Sequence, residues 1–274
     1  MSKTILITGA TDGIGKQTAL ALARQGHEVW LHGRSESKCR AVLQDIQTAT
    51  GNAPKGYWVA DFSSLADVAQ LGRDVAAQLP RLDVLINNAG VWINDRVLTE
   101  DGFETTFQVN HLGPFLLTQH VLRLLTHSAS TQTSARVVTV ASQLHKRGQL
   151  HLDDLQLQQH FTGFNAYSQS KICNVLFAYA LAGRVKSKHI TSNVLHPGII
   201  TTKLLWTGFQ STAAEVAEGA ATSMYVAIAP ELESVTGKYF EPVREMASAD
   251  LTYDNAIQQQ LWELSEQMVR RWLP

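Results

Sequence analysis

Residues 3–7 form a short β-branched run ending at a glycine turn, and the next dozen residues place Ile14, Thr18, Ala21 and Leu22 at helical spacing. The period changes at the glycines, which predicts a strand followed by a helix. The same alternation recurs along the chain. Apolar runs at 28–32, 56–60, 82–87, 136–141 and 190–195 are separated by helical patterns at 35–50, 64–79, 99–126 and 165–183. Such short, nearly continuous apolar strands are buried on both faces, so the expected fold class is α/β. It is a single doubly wound parallel sheet, the Rossmann fold, with helices on both faces. Beyond it the pattern predicts a helix at 214–229, a short strand at 238–240 and an amphipathic helix at 255–270. Leu261, Leu264 and Met268 share one stripe of that last helix and read as core or as a subunit contact. Residues 142–164, rich in His, Gln and Leu, fit no element and are expected as a surface excursion beside the ligand crevice. Its His145, His151 and His160 are expected at the surface.

Composition narrows the picture. The 274 residues suit one α/β domain spanning 1–274. A formal charge of −1 provides no basic field for nucleic acid or an anionic membrane, so neither partner is expected. Cys39 and Cys173 are too few for a disulfide framework and lack metal or redox spacing, so packed thiols and no metal site are expected. No apolar run reaches the roughly 18–20 residues needed to span a bilayer, and Met1 precedes the first strand by two residues. A soluble, cytoplasmic protein is the expectation.

In such sheets ligands bind outside the carboxyl ends of the strands, where the strand order reverses, and the candidate chemistry falls at those ends. The first strand runs into Gly9, with Gly13 and Gly15 opening the helix; glycines there permit a tight turn and close approach of backbone to a phosphate at a positive helix terminus. A plain strand-to-helix turn accounts for these glycines equally well. Tyr167 and Lys171 stand at i and i+4 on one helix face, so an ammonium lies near a phenol and favours its ionised form. Two surface residues of an amphipathic helix would have the same spacing. Ser142 ends the 136–141 strand and reads as a hydroxyl at the same sheet edge or as a helix cap. Asn87-Asn88-Ala89-Gly90 follows the 82–87 run as a site loop or a polar turn.

Taken in order, the motifs Thr8-Gly9-x-x-x-Gly13-x-Gly15, Asp61, Asn87-Asn88-Ala89-Gly90, Val109-Asn110-His111, Ser142, Tyr167-x-x-x-Lys171 and Pro197-Gly198-x-x-Thr201 resemble the full set of the short-chain dehydrogenase/reductase family. The stretches Gln108-Val109-Asn110-His111-Leu112-Gly113-Pro114-Phe115 and Lys171-Ile172-Cys173-Asn174-Val175-Leu176-Phe177 resemble its retinol dehydrogenase-like and WW-domain oxidoreductase-like branch. That branch shares the long 25-residue spacing from Ser142 to Tyr167. The resemblance implies a catalytic set of Asn110, Ser142, Tyr167 and Lys171. Tyr167 would exchange a proton with the substrate oxygen, Lys171 would lower its pKa and hold the nicotinamide ribose, Ser142 would bind the substrate oxygen, and Asn110 would hold a water in a proton relay. It also implies cofactor contacts from Gly9, Thr11, Asp12, Gly13, Ile14 and Gly15, from Asp61, Phe62, Asn88, Ala89 and Gly90, and from Tyr167, Lys171, Pro197, Gly198 and Thr201. Members are often dimers or tetramers, so a homo-oligomer is expected.

After the second strand comes Leu31-His32-Gly33-Arg34, with no acid before Glu36. An acid there would bind the NAD ribose, whereas Arg34 suits the 2′-phosphate of NADP, so NADP(H) is the expected cofactor. In the family the segment at about 199–213 folds over the substrate; here Leu204, Leu205, Trp206 and Phe209 would make it an apolar lid. Val91, Trp92 and Ile93 would add to the wall, which predicts a hydrophobic carbonyl or alcohol as substrate. Two other readings remain at this stage. A non-catalytic nucleotide-sensing or scaffold protein would be expected to lose Tyr167 or Lys171, and a nucleotide-sugar epimerase would need a larger carboxyl-terminal domain.

Overall fold

The computed structural model describes residues 2–51, 55–198, 200, 207–208 and 216–274. Eight strands form one sheet in the order β3-β2-β1-β4-β5-β6-β7-β8. In chain order these are β1 (Thr4–Ile7), β2 (Glu28–Gly33), β3 (Gly56–Val59), β4 (Val84–Asn87), β5 (Ala135–Val140), β6 (Ile190–Leu195), β7 (Tyr239–Glu241) and β8 (Arg244–Met246). All neighbours are parallel except β7 and β8. The chain steps outward from β1 to β3, returns to place β4 on the other side of β1, and then continues outward, so the order reverses between β1 and β4.

The expected two-faced burial is realised residue by residue. Ile5 and Ile7 of β1, Val84 and Ile86 of β4, and Val138 and Val140 of β5 enter one core, packed with α1 (Gly13–Arg24), α2 (Glu36–Thr50) and α7 (Val216–Ile228). Leu6, Leu85 and Val137, one step along each strand, enter the other. That second core holds α3 (Leu65–Gln78), α5 (Gly113–Ser128), α6 (Gly163–Val185) and α8 (Asn255–Val269). Leu261 is buried there, with Leu264 and Met268 packed against it. Trp262 of α8 stacks on Phe177 at 6.1 Å and meets Phe115 edge-on at 4.9 Å, fastening the last helix to α5 and α6.

Three expectations need correction. The helix expected at 99–126 begins at α4 (Thr105–Phe107), passes through a π-helical turn at Gln108–Leu112 and continues as α5. Residues 99–104 instead make a tight loop: Gly102 takes φ +83°, its amide donates to the Thr99 carbonyl, and Glu104 caps α4 through the Thr106 and Phe107 amides. Strand β8 was missed because it is a three-residue, charge-bearing edge, pinned by Lys238 to Glu245 at 2.7 Å. The 142–164 stretch is no mere surface excursion, since Leu144, Leu155 and Leu157 are buried and His145 has no exposed surface at all. His160 is exposed and His151 half-buried.

Among the described residues no helix is long and apolar enough to cross a membrane. Replacing Trp262 with alanine empties the seam between α8, α5 and α6 and should cost about 3–5 kcal/mol. Urea unfolding of the variant checks this, and a loss below about 1 kcal/mol would show that α8 is only loosely docked.

Candidate active site

The reversal between β1 and β4 leaves two carboxyl-terminal loops to meet, and they are bolted together by side chains. Thr8 at the end of β1 donates through Oγ1 to the Ile86 carbonyl (3.3 Å) and accepts from the amides of Asn88 and Ala89 (both 3.0 Å). Asn88 returns the tie by donating from Nδ2 to the carbonyls of Thr8 (2.8 Å) and Gly9 (3.2 Å). The fit is tight enough to require glycine. A Cβ on Gly9, which has φ +64°, would stand 2.8 Å from the Ala89 Cα, and one on Gly15 only 2.4 Å from the Gly9 carbonyl oxygen. With Asp12 capping the Gly13 amide at 2.9 Å, the turn delivers the amino terminus of α1 to the cleft.

The neighbouring strand β2 contributes a residue that the sequence reading passed over. His32 accepts from the Gly9 amide at Nδ1 (3.3 Å), donates from Nε2 to the Ala60 carbonyl (3.0 Å) and stacks on Phe62 at 4.7 Å. A donor on one side and an acceptor on the other fix the neutral Nε2–H tautomer. Burial lowers its pKa to about 4. A lone polar residue in the apolar run Val29-Trp30-Leu31-His32 was the available signal. Beyond it, Arg34 faces Asp61 at 4.0 Å, largely exposed at the cleft's rim with Ser35 and Lys38.

On the other side of the switch point stands the titratable group set. Helix α6 is capped by Thr162, which accepts from the Asn165 amide at 3.0 Å, and its first turns carry Tyr167 and Lys171 to the carboxyl ends of β5 and β6. Lys171 is 3% exposed and donates from Nζ to the Val140 carbonyl at 3.0 Å. Burial brings its pKa down to about 8. Tyr167 is held between Lys171, whose Nζ lies 5.4 Å from its ring centre, and Trp92, whose ring lies 4.7 Å away. Burial pushes the phenol pKa up, and a hydrogen bond with Ser142 opposes that shift. Ser142 stands two residues beyond β5 and caps the following turn by accepting from the Leu144 amide at 3.3 Å.

Asn110 comes from the π-helical turn, where the extra residue per turn brings its side chain across to the β4 loop. Its Oδ1 accepts from the Val91 amide (2.8 Å), and its Nδ2 donates to the Val91 carbonyl and to Ser170 Oγ (both 3.0 Å). Gly90 passes directly beside it, close enough that a Cβ would lie 3.6 Å from Lys171 Nζ.

One cleft of about 1110 Å³ connects these parts, running from Arg34 past the glycine turn to Ser142, Tyr167 and Lys171, and on to Pro197 and Gly198. Gly9, Thr11, Asp12, Gly13, Ile14, Gly15, Asp61, Phe62, Asn88, Ala89 and Gly90 all line it. Asn110 does not; it supports the cleft from behind through Val91. His196, just before Pro197, is a further lining residue that sequence reasoning missed, and burial takes its pKa to about 4. Val91 and Ile93 line the wall as expected, whereas Trp92 stacks on Tyr167. Thr201 and the residues Leu204, Leu205, Trp206 and Phe209 of the expected lid lie outside the described residues.

A family profile described as short chain dehydrogenase matches residues 3–213, and the chain belongs to that family. Within it, the chain is 38% identical to retinol dehydrogenase 14 of Mus musculus, over 97% of this chain and 86% of that protein. It is 39% identical to polyprenol dehydrogenase of Homo sapiens, over 97% and 84%. A solved short chain dehydrogenase from Shigella flexneri, complexed with NADP, superposes with a TM-score of 0.72 at 25% identity, covering 88% of this chain and 97% of that one.

The depressed pKa of His32 makes stability depend on pH. Below pH 6.5 the unfolded histidine takes up a proton that the folded one refuses until about pH 4, so stability falls across that window as pH drops. The contribution is about 3 kcal/mol. Urea unfolding at pH 7 and pH 4.5 should show a steeper loss in the wild type than in His32→Asn; equal slopes would contradict the buried neutral tautomer.

Proposed function

We propose that the chain is an NADP(H)-dependent oxidoreductase that interconverts a hydrophobic carbonyl and its primary or secondary alcohol. The observation that carries the reading is a desolvated phenol–ammonium pair, with a serine beside it, opening into the same cleft as a helix terminus cleared of side chains. The cradle suits a dinucleotide: Gly9, Gly13 and Gly15 line the cleft at the amino terminus of α1 without side chains, and Lys171, whose one hydrogen-bond partner among the described residues is the Val140 carbonyl, retains capacity for further acceptors such as ribose hydroxyls.

The cofactor would be held by the backbone of Gly9, Thr11, Asp12, Gly13, Ile14 and Gly15, by Asp61, Phe62, Asn88, Ala89 and Gly90 around the adenosine side, and by Lys171, Pro197, Gly198 and Thr201 around the nicotinamide. When bound, nicotinamide supplies or accepts a hydride. The chain's own residues handle the proton. Tyr167 donates its phenolic proton to the substrate oxygen in reduction and removes the alcohol proton in oxidation, Ser142 hydrogen-bonds that oxygen as charge develops, and Lys171 favours the phenolate. Asn110 locks the β4 loop to α6 through Val91 and Ser170, which keeps the lysine in register.

Arg34 supports the phosphate-bearing cofactor. Its guanidinium is exposed at the rim, carries one long ion pair to Asp61, and is free to turn toward a 2′-phosphate. Retinoid and polyprenoid names among the relatives, together with apolar Val91, Ile93 and Ile200 on the cleft wall, support a hydrophobic substrate. The chain would act as one unit, with residues 199–213 as the lid.

NADPH oxidation measured over a panel of aliphatic, aromatic and terpenoid carbonyls tests the reading. Tyr167→Phe should lower kcat by about 10²–10⁴-fold. Turnover that survives unchanged would overturn the assigned acid. Arg34→Ala should raise the KM for NADPH by about tenfold or more while leaving that for NADH in place. Equal use of both cofactors by the unmutated enzyme would sink the NADP preference.

A further inference from the structure

The turn that follows Ser142 is fastened far more firmly than a loop beside a cleft requires. His145, on the 3-10 turn Gln143–Lys146, places Nδ1 2.7 Å from the Ser142 carbonyl oxygen and accepts at Nε2 from the Ala249 amide at 3.1 Å. These partners fix the neutral tautomer with the proton on Nδ1. Its ring meets Tyr239 of β7 edge-on at 4.8 Å. Tyr239 donates its hydroxyl to Glu241 at 2.6 Å, Glu241 pairs with Lys146 at 2.8 Å, and the Lys146 ammonium stands 5.1 Å over the Tyr239 ring. The clasp closes on itself. Its outer half, residues 239–249, lies beyond residue 213, where the family match ends.

We propose that His145 is a positioning residue for Ser142, through which the β7 strand and Ala249 set the aim of the serine hydroxyl at Tyr167. The Ser142 carbonyl accepts from both the His145 amide (3.1 Å) and the His145 ring. Two donors on one oxygen fix the plane of the Ser142–Gln143 peptide, and with it the direction in which the serine side chain leaves the end of β5. The inference rests on the oxidoreductase reading given above and adds to it a part of the chain remote from the cofactor cradle.

The consequence is a shift in proton chemistry. Among the described residues, the groups that face Tyr167 and Lys171 are Ser142 just after β5, the Trp92 ring from the β4 loop and, near Lys171, His196 just after β6, which burial keeps neutral. Ser142 is therefore the group on this side that favours the phenolate. If its hydroxyl is misaimed, the phenol gives up its proton only at higher pH, and alcohol oxidation, which needs the phenolate, moves to higher pH with it.

Two substitutions separate positioning from packing. His145→Asn keeps an N–H near the place of Nδ1, whereas His145→Gln puts its amide toward Nε2 and leaves the Ser142 carbonyl with one donor. In NADP-dependent oxidation of a hydrophobic alcohol, the Gln variant should lose about tenfold or more in kcat. Its pH midpoint should move up by about one unit, with the KM for NADP unchanged. The Asn variant should retain most of the activity and the original midpoint. Equal losses in both variants, or a Gln variant whose midpoint stays in place, would overturn the proposal. Wild-type turnover that persists in Tyr167→Phe would instead defeat the oxidoreductase reading and leave the Asn–Gln comparison to stand or fall on its own kcat values.

Discussion

A buried ammonium organises this molecule. Lys171 gives up nearly all its water, and the Val140 carbonyl is its one hydrogen-bond partner among the described residues. An ionised group so placed is costly unless the surrounding structure holds it there. The surroundings do so from three sides: the Thr162 cap starts α6 at the sheet edge, the π-helical turn brings Asn110 across to Val91 and Ser170, and Gly90 passes beside Asn110, where a Cβ would stand 3.3 Å from Oδ1. The pKa near 8 and the hydrogen-bonded tyrosine one turn away follow from that placement.

The second constraint is the meeting of β1 and β4. Because Thr8 and Asn88 join the two loops by side-chain to backbone bonds, the glycine turn is held directly against the segment that passes Lys171. The amino terminus of α1 and the first turns of α6 are thus parts of one edge. His32 extends that edge by tying the Gly9 amide to the end of β3.

Much of this was legible in the chain. The six runs that became β1 to β6 were readable because apolar and β-branched residues predominate in strands covered by helices on both sides of the sheet, and the tyrosine–lysine pair because four residues bring two side chains to one helix face. Other parts were hidden for physical reasons. The Glu100-Asp101-Gly102 turn sat inside an otherwise helical pattern, and β8 is too short and too charged to show alternation. His32 and His145 are polar residues whose burial depends on partners more than twenty residues away in sequence: Gly9 and Ala60 for the first, Ala249 and Tyr239 for the second. No local pattern encodes such partners, so His145 read as a surface residue and proved to be fully enclosed.

In the proposed reaction this edge passes a hydride between nicotinamide and a carbon of a hydrophobic substrate while Tyr167 handles the proton. Its most direct test follows the label. NADPH carrying deuterium at C4 of the nicotinamide is incubated with the enzyme and a hydrophobic aldehyde or ketone in ordinary water, and the alcohol is examined by mass spectrometry and NMR. The proposed reaction leaves deuterium on the carbinol carbon, delivered from one face of the nicotinamide, with the hydroxyl proton from solvent. Alcohol formed with hydrogen alone at that carbon, from cofactor labelled on either face, would contradict it.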